Sequence, residues 1–501
     1  ENIRDFGDFE PNISIESSTW SEIDSTNAYI KVLMTGGKWG DVDPSTTPTE
    51  LTYYLYDDET TLEGKNSVKF LDEEISAFVE TMQNYSSVAN INFTESNNFE
   101  DAHILWSLLN DEDSEGYSGY AYAPGDGFFE GLTTINFYPY TTEEDELIDE
   151  DILLPGSIYY TVFNHELGHA LGLSHPHSDD HEFESFPGVS HDGDTGDNGL
   201  NAQPYTVMSY NDVGANKYMP EEESYYGFIE NLGALDIAAI QYLYGPNANS
   251  DSDDTTWYLD EEERHGWYSI WDNGGTDTIT AERAESSVRI DLRNATLENE
   301  VGGGGYISQI GSDPLGYTIA YNSTGKCIIE NAIGSDQDDT LRGNEVDNII
   351  NGGGGTDVVE FGNNKKDYSF KAITNDVNDG VASFNIQGSQ RAGGILKVNE
   401  ISTDPDNISA DAFEIISTKD ETSKDTLLNI EVLRFSDGDY LTKNLNSDSP
   451  EYSYSWQTSK NGVLWEVISD SSSLNVEAHL DGEQIRLVIN YADYEGFGET
   501  I

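Results

Sequence analysis

The sequence predicts a multi-domain protein of α+β class: an α/β domain first, a parallel β-roll after it, and further all-β modules at the end. Three observations predict this. Residues 1–245 mix strand-like and helix-like patterns. Three glycine-rich nine-residue units run in tandem from Gly334. The text from Tyr454 onward alternates apolar and polar residues with a period of two. A chain of 501 residues is long enough to build several cores. We place the boundaries at 1–245, 246–362 for the roll, 363–448 for a β-rich spacer and 449–501 for a small Ig-like module, which is short for a complete sandwich.

Taken in order, the first 20 residues read as a polar arm over the first domain. Residues 28–56 alternate around the turn signal GGKWG, which predicts hairpin strands. Residues 67–85 carry apolar positions at helical spacing, and AHILWSLL at 102–109 reads as a strand. The acidic run TTEEDELIDED occupies 141–151.

The segment HELGHALGLSH, His165 to His175, carries the most chemical information. His165 and His169 are four apart, so on a helix both rings point the same way, one turn above the other. Gly172 has no Cβ and suits the left-handed turn that ends a helix, after which His175 can close a triangle of imidazoles. Three imidazoles of this kind suit zinc, and Glu166 sits beside the first ligand at a general-base position. Six of the nine histidines fall between His165 and His191. That clustering is unexpected for scattered solvated residues. Beyond it, HDGDTGDNG brings His191, Asp192, Asp194 and Asp197 together; a solvated loop is favoured over a cation site, because no complete binding-loop pattern is present.

Net charge is −72, from 95 acidic and 23 basic residues. Nucleic acid and anionic membrane surfaces need basic patches, so they are excluded as partners. No stretch supplies the apolar length of a membrane-spanning helix. Self-repulsion of this size is relieved by salt and by divalent cations. The single cysteine, Cys327, rules out an intramolecular disulfide, which leaves bound calcium as the expected stabiliser of a secreted protein. The chain starts with Glu, consistent with prior removal of a leading segment.

With HExxHxxGxxH and the later TVMSYND, the chain resembles the serralysins, zinc endopeptidases of the metzincin group. The one departure in the second motif is Thr206 in place of serine. The resemblance implies a metzincin fold, with Met208 as the apolar floor below the imidazoles and a closing helix within Leu232 to Asn247. It implies that His165, His169 and His175 bind one catalytic zinc and that Glu166 moves the proton of the attacking water. Tyr210 would ligate zinc at rest and donate to the oxyanion during turnover. Gly119, Tyr120, Ala121, Tyr122 and Ala123 would form the edge strand that binds substrate.

The tandem units are 334–342, 343–351 and 352–360; the last fits the calcium nonapeptide GGxGxDxUx at every fixed position. By resemblance Asp339 and Asp357, with carbonyls of Ser335, Gln337, Gly353 and Gly355, hold calcium, and Asp272, Gly274, Gly275, Asp277, Ile328 and Glu330 form an earlier set. Asp251, Asp253 and Thr255 match more loosely. The implied protein is a secreted bacterial endopeptidase, monomeric, acting on proteins and peptides. Two alternatives stay open: a calcium-stabilised extracellular adhesion protein with a non-catalytic zinc, and a metallohydrolase acting on another substrate such as a peptidoglycan crosslink.

Overall fold

A computed structural model describes residues 25–40, 47–110, 113, 115–136, 152–177, 184–212, 226–261, 265–373, 412–417 and 423–441, with strand backbone at 17–18, 385–386, 398–399, 452–459, 466–469, 484–492 and 498–500. The expected polar arm, apart from residues 17–18, and the acidic run 141–151 lie outside the described residues. The chain divides into two units, Glu1–Ile329 and Glu330–Ile501.

After a two-residue strand at Ser17–Ser18, which pairs antiparallel with Lys38–Trp39, the first unit forms a short helix, α1 (Ala28–Val32), where a hairpin strand was expected. The reason is local: the Asn27 side chain accepts from the backbone N–H groups of Tyr29 and Ile30, and this cap outweighs the alternating pattern. Further on, the strand that sequence placed in a hairpin pairs in parallel instead. It is β1 (Thr49–Leu55), flanked by β2 (Ile91–Glu95) and β3 (Ile104–Leu109). With β4 (Gly119–Ala121) and β5 (Leu132–Asn136) they form a five-stranded sheet in the order β2-β1-β3-β5-β4. Every pairing is parallel except that of β4, which runs antiparallel to β5 at the edge. All six residues of β3 are buried, as expected for a central parallel strand covered on both faces.

Helix α2 (Asp72–Val88) starts later than the periodicity suggested. Its first turn is fixed by Glu74, whose carboxylate accepts from the Leu71 N–H at 2.7 Å, and Asp72, Glu73 and Glu74 complement the helix dipole there. Ala77, Phe78, Thr81, Met82, Tyr85 and Val88 form its buried face. The Phe78 ring lies 4.3 Å from Trp106 of β3 and 4.8 Å from Phe163 of the next helix. That helix, α3 (Ile158–Ala170), is capped by the Ser157 hydroxyl and carries the first two histidines of the motif. The closing helix expected within 232–247 is α4 (Ala234–Tyr244), apolar on nearly every side and correspondingly buried.

Later in the first unit, Thr256–Tyr258 pairs in parallel with Thr278–Thr280, and Trp267–Ile270 with Gly316–Ile319. In the second unit each nonapeptide ends in a three-residue strand, and strands 18 residues apart lie side by side in parallel: Asn331↔Ile349 in one sheet, Thr340↔Val358 in the other. That is the winding of a β-roll. Lys424–Leu428 and Val432–Phe435 add in parallel to the same two sheets. The roll therefore continues past residue 362, because the segment placed in a spacer supplies two more rungs. Tyr452–Ser459, Glu466–Ser469, Gln484–Ala492 and Gly498–Thr500 form one antiparallel sheet; among the described residues no second sheet completes the expected sandwich.

Candidate active site

Helix α3 delivers His165 and His169, and the chain must then reverse to bring in His175. Gly172 makes this possible at φ +104°, with the Leu173 N–H donating to the Gly168 carbonyl. A Cβ at Gly172 would lie 2.3 Å from the Gly37 carbonyl oxygen, so close packing as well as conformation demands glycine.

The three Nε2 atoms converge, with separations of 3.1 Å (His165 to His175), 3.2 Å (His165 to His169) and 3.1 Å (His169 to His175). The other ring nitrogens are committed: Nδ1 of His165 faces the Val207 carbonyl and Nδ1 of His169 the Leu173 carbonyl, each at 2.9 Å. As carbonyls only accept, these two nitrogens carry the protons and the Nε2 atoms of His165 and His169 present lone pairs. Burial, together with the neighbouring rings, lowers His165 to about 3 and pushes His175 strongly down; burial lowers His169 to about 4. Lone pairs facing one another need a cation between them. Ligands of a tetrahedral zinc at about 2.0–2.1 Å stand roughly 3.3 Å apart, which fits this triangle. Among the described residues it is the one cluster of three such side chains.

Glu166 is buried beside the triangle, and among the described residues its Oε2 has no hydrogen-bond partner. Burial raises this carboxyl to about 8; a nearby cation would favour its ionised form. Edge strand β4 passes directly over it, since a Cβ at Gly119 would stand 2.7 Å from both Cγ and Oε1 of Glu166. The strand is shorter than expected. Tyr122 still exchanges hydrogen bonds with Gly131 and Leu132, whereas the Ala123 N–H turns to the Asp126 carboxylate at 2.9 Å.

Met208 is fully buried, and its sulfur would lie 2.8 Å from a Cβ placed on Gly168, so it packs under the helix that carries the histidines. The substitution at Thr206 is chemically neutral here. Its hydroxyl donates to Asp236 at 2.6 Å and accepts from the Met208 N–H at 3.1 Å. Tyr210 is 54% exposed, and its hydroxyl lies 3.0 Å from Nε2 of His175.

Two residues were missed in the sequence. Asp236, in the first turn of α4, is wholly buried and accepts from Thr206, from the Val207 N–H at 2.6 Å and from the Gly233 N–H at 2.8 Å. Val207 in turn holds His165, so Asp236 fixes a ligand through one intermediate residue. Its signal was a lone acid in an apolar helix. His177 stacks on His175 at 4.9 Å and also meets the Tyr210 ring at 4.7 Å; its signal was the HPH triplet.

The acidic loop at 190–199 is closed by its own hydrogen bonds: the Ser190 hydroxyl and the Gly196 N–H donate to Asp194, and the Gly193 N–H to Asp192. Residues 178–183 of the preceding polar stretch lie outside the described residues.

The calcium candidates gather as the repeat spacing predicts. The Asp339 N–H donates to the Asp357 carboxylate at 2.9 Å, and both side chains are buried. Cβ atoms on Gly353 and Gly355 would collide with the carbonyls of Ser335 and Gln337, which places those four residues in two stacked pairs. Among the described residues, one oxygen of Asp357 and one of Asp272 are buried without a partner, a condition that a divalent cation relieves. Asp272 and Asp277 are likewise fully buried, with Gly274 and Gly275 at φ +120° and +141°. Thr255 donates to Asp277, and the Asp253 carbonyl lies against Gly275, so two of the loosely matching residues join this set; Asp251 accepts from the Asn273 N–H through its carbonyl. Ile328 lies in the first unit, while Glu330 lies in the second, its carbonyl accepting from Asn348.

Comparison with known proteins agrees with this geometry. The family model for matrixin matches residues 45–186, and that for the peptidase M10 serralysin C terminal matches 234–449. Similar proteins include a serralysin of Photorhabdus sp. (strain Az29), 29% identical over 66% of this chain and 65% of the relative. Metallopeptidase AprA of Pseudomonas marginalis is 27% identical over 68% of this chain and 69% of its own. Serralysin C of Dickeya chrysanthemi is 30% identical over 55% of this chain and 54% of its own. The chain thus spans less than two thirds of the length of the first and third of these relatives. On both family models and on the histidine triangle, the chain belongs to the serralysin-type metzincins.

Proposed function

We propose that this chain is a secreted bacterial zinc endopeptidase that cleaves internal bonds of extended or unfolded proteins with broad specificity. The observation that carries the reading is three convergent Nε2 atoms beside a buried carboxylate, beneath a sheet edge with one free side. His165, His169 and His175 hold the zinc, which when bound supplies a Lewis acid that acidifies a water and polarises a carbonyl. Glu166 accepts the proton of the attacking water and returns it to the leaving amine. Tyr210, beside His175, would be a further ligand of the bound zinc and is placed to donate to the developing oxyanion, and Met208 supports the histidine platform from below.

Substrate adds to Gly119–Ala121 as an antiparallel strand, extended by Tyr122 and Ala123. Main-chain hydrogen bonds do not read side chains, so specificity is broad. Antiparallel pairing sends the residues before the scissile bond toward Ala123, where a cavity of about 490 Å³ is bordered by Lys31, Met34, Asp126, His175, His177 and Glu184. Residues 1–245 form the catalytic domain, and several calcium ions stabilise the roll that follows, held by Asp272, Asp277, Glu330, Asp339 and Asp357 with the glycine, serine, glutamine and isoleucine carbonyls named above. The protein acts as a monomer.

A purely structural zinc would have no use for an unpaired carboxylate beside it, so nothing favours the adhesion reading. The test is Glu166→Ala on unfolded casein, with zinc measured in both proteins. We expect unchanged zinc and hydrolysis reduced by about 100-fold or more; equal turnover would reject the assigned base.

A further inference from the structure

We propose that Glu63 is a positioning residue that braces the substrate-pairing strand from behind through the hydroxyls of Tyr120 and Tyr122. The inference rests on the function proposed above and adds a residue that no motif marks.

A strand that receives a peptide on one side has only its other side for support. Strand β4 is three residues long and, among the described residues, pairs with β5 alone. Few main-chain hydrogen bonds therefore hold it, and a peptide that adds to it needs a fixed edge. Successive side chains point to opposite faces of a strand. Gly119 faces Glu166, and Ala121 shares that face; Tyr120 and Tyr122 point away from the reacting centre. Both phenols end on one carboxylate: Tyr120 donates to Oε2 of Glu63 at 2.5 Å, and Tyr122 donates to Oε1 at 2.6 Å. Short O–H···O⁻ contacts of this kind are among the stronger hydrogen bonds. Lys65 completes the clamp, with Nζ 3.1 Å from the Tyr120 hydroxyl and 4.9 Å from its ring centroid.

The brace comes from a rigid turn. Gly64 takes φ +79° between Glu63 and Lys65, the Thr61 N–H donates to the Lys65 carbonyl at 2.8 Å, and the Ser67 N–H to the Glu59 carbonyl at 2.9 Å. Leu62 anchors the turn in the cluster of Tyr56, Leu105 and Leu132, where Tyr122 also packs. Burial and the bond to Glu63 push Tyr122 up to about 12, so the donor keeps its proton over the working pH range.

Loosening the edge weakens ground-state and transition-state binding alike, which raises KM and leaves kcat in place. The experiment compares wild type, Glu63→Ala, Glu63→Gln and the single changes Tyr120→Phe and Tyr122→Phe on a fluorogenic extended octapeptide. Each is measured as zinc-loaded full-length protein, with Tm recorded. We expect Glu63→Ala to raise KM about tenfold with kcat within twofold, each Phe variant to raise it less, and Gln, which can still accept one phenol and donate to the other, to restore most of it. Binding of a dye-labelled octapeptide to Glu166→Ala protein, by fluorescence anisotropy, should weaken by the same factor when Glu63→Ala is added. That arm does not depend on turnover, so an inactive wild type would reject the proposed function while the brace is still tested. Unchanged KM and unchanged peptide affinity in folded Glu63→Ala, or in both Phe variants should Glu63→Ala fail to fold, would overturn the brace. A fall in kcat at constant KM would overturn it too.

Discussion

Between Gly119 and Glu166 there is no room for a methyl group. A Cβ on residue 119 would fall 2.7 Å from the Glu166 carboxylate oxygen, and the side chain is the part able to yield. Gly119→Ala should leave the fold intact and shift this carboxylate. Displacement of a reacting group by about 1 Å costs on the order of 100-fold in rate. We predict a loss of that order in kcat with zinc content unchanged; wild-type kcat in Gly119→Ala would show that the contact does not constrain the carboxylate. The histidines and Glu166 were legible because chemistry fixes their spacing within eleven residues. Asp236 was not, since it acts on His165 across a distance of 71 positions in the chain and through Val207. Glu63 was hidden for the same reason, with 57 and 59 residues separating it from its two phenols. Side-chain to side-chain contacts at such separations leave no periodic trace.

Among the elements, those whose residues bury a full face were readable: α2 by its apolar positions, β3 by its continuous apolar run, and the roll by its nine-residue repeat, while α4 was legible through the family resemblance. Alternation misled at α1, where a single cap decided the conformation. The segment 425–440 resembles the closing strands that follow calcium repeats, but it carries no glycine repeat, so its place as two further rungs of the roll emerges only from its pairing. The roll makes a testable statement about pH. Burial raises Asp357 to about 7, and burial together with Asp277 and Asp251 raises Asp272. Such groups titrate near 4 in an unfolded chain, so the cation-free fold holds extra protons between about pH 4 and 7, and its stability falls as pH rises through that window. Calcium takes the place of those protons. Calcium added to stripped protein should therefore raise Tm by more at pH 8 than at pH 5; scanning calorimetry giving equal increments at both would deny that these carboxylates bind the ion.

For the whole molecule, a net charge of −72 makes cations part of the architecture. Among the described residues, one buried carboxylate oxygen of each of Glu166, Asp272 and Asp357 has no hydrogen-bond partner. Composition disclosed the charge, yet it could not say which acids are buried, because burial is set by the winding of the roll and by the strand above Glu166. The central claim is that three imidazole nitrogens hold one zinc with a place left for oxygen. Zinc content and X-ray absorption fine structure on the purified full-length protein test this most directly. The prediction is one zinc per chain with three nitrogens at about 2.0–2.1 Å and at least one oxygen; protein without zinc, or a shell with no oxygen donor, would contradict it.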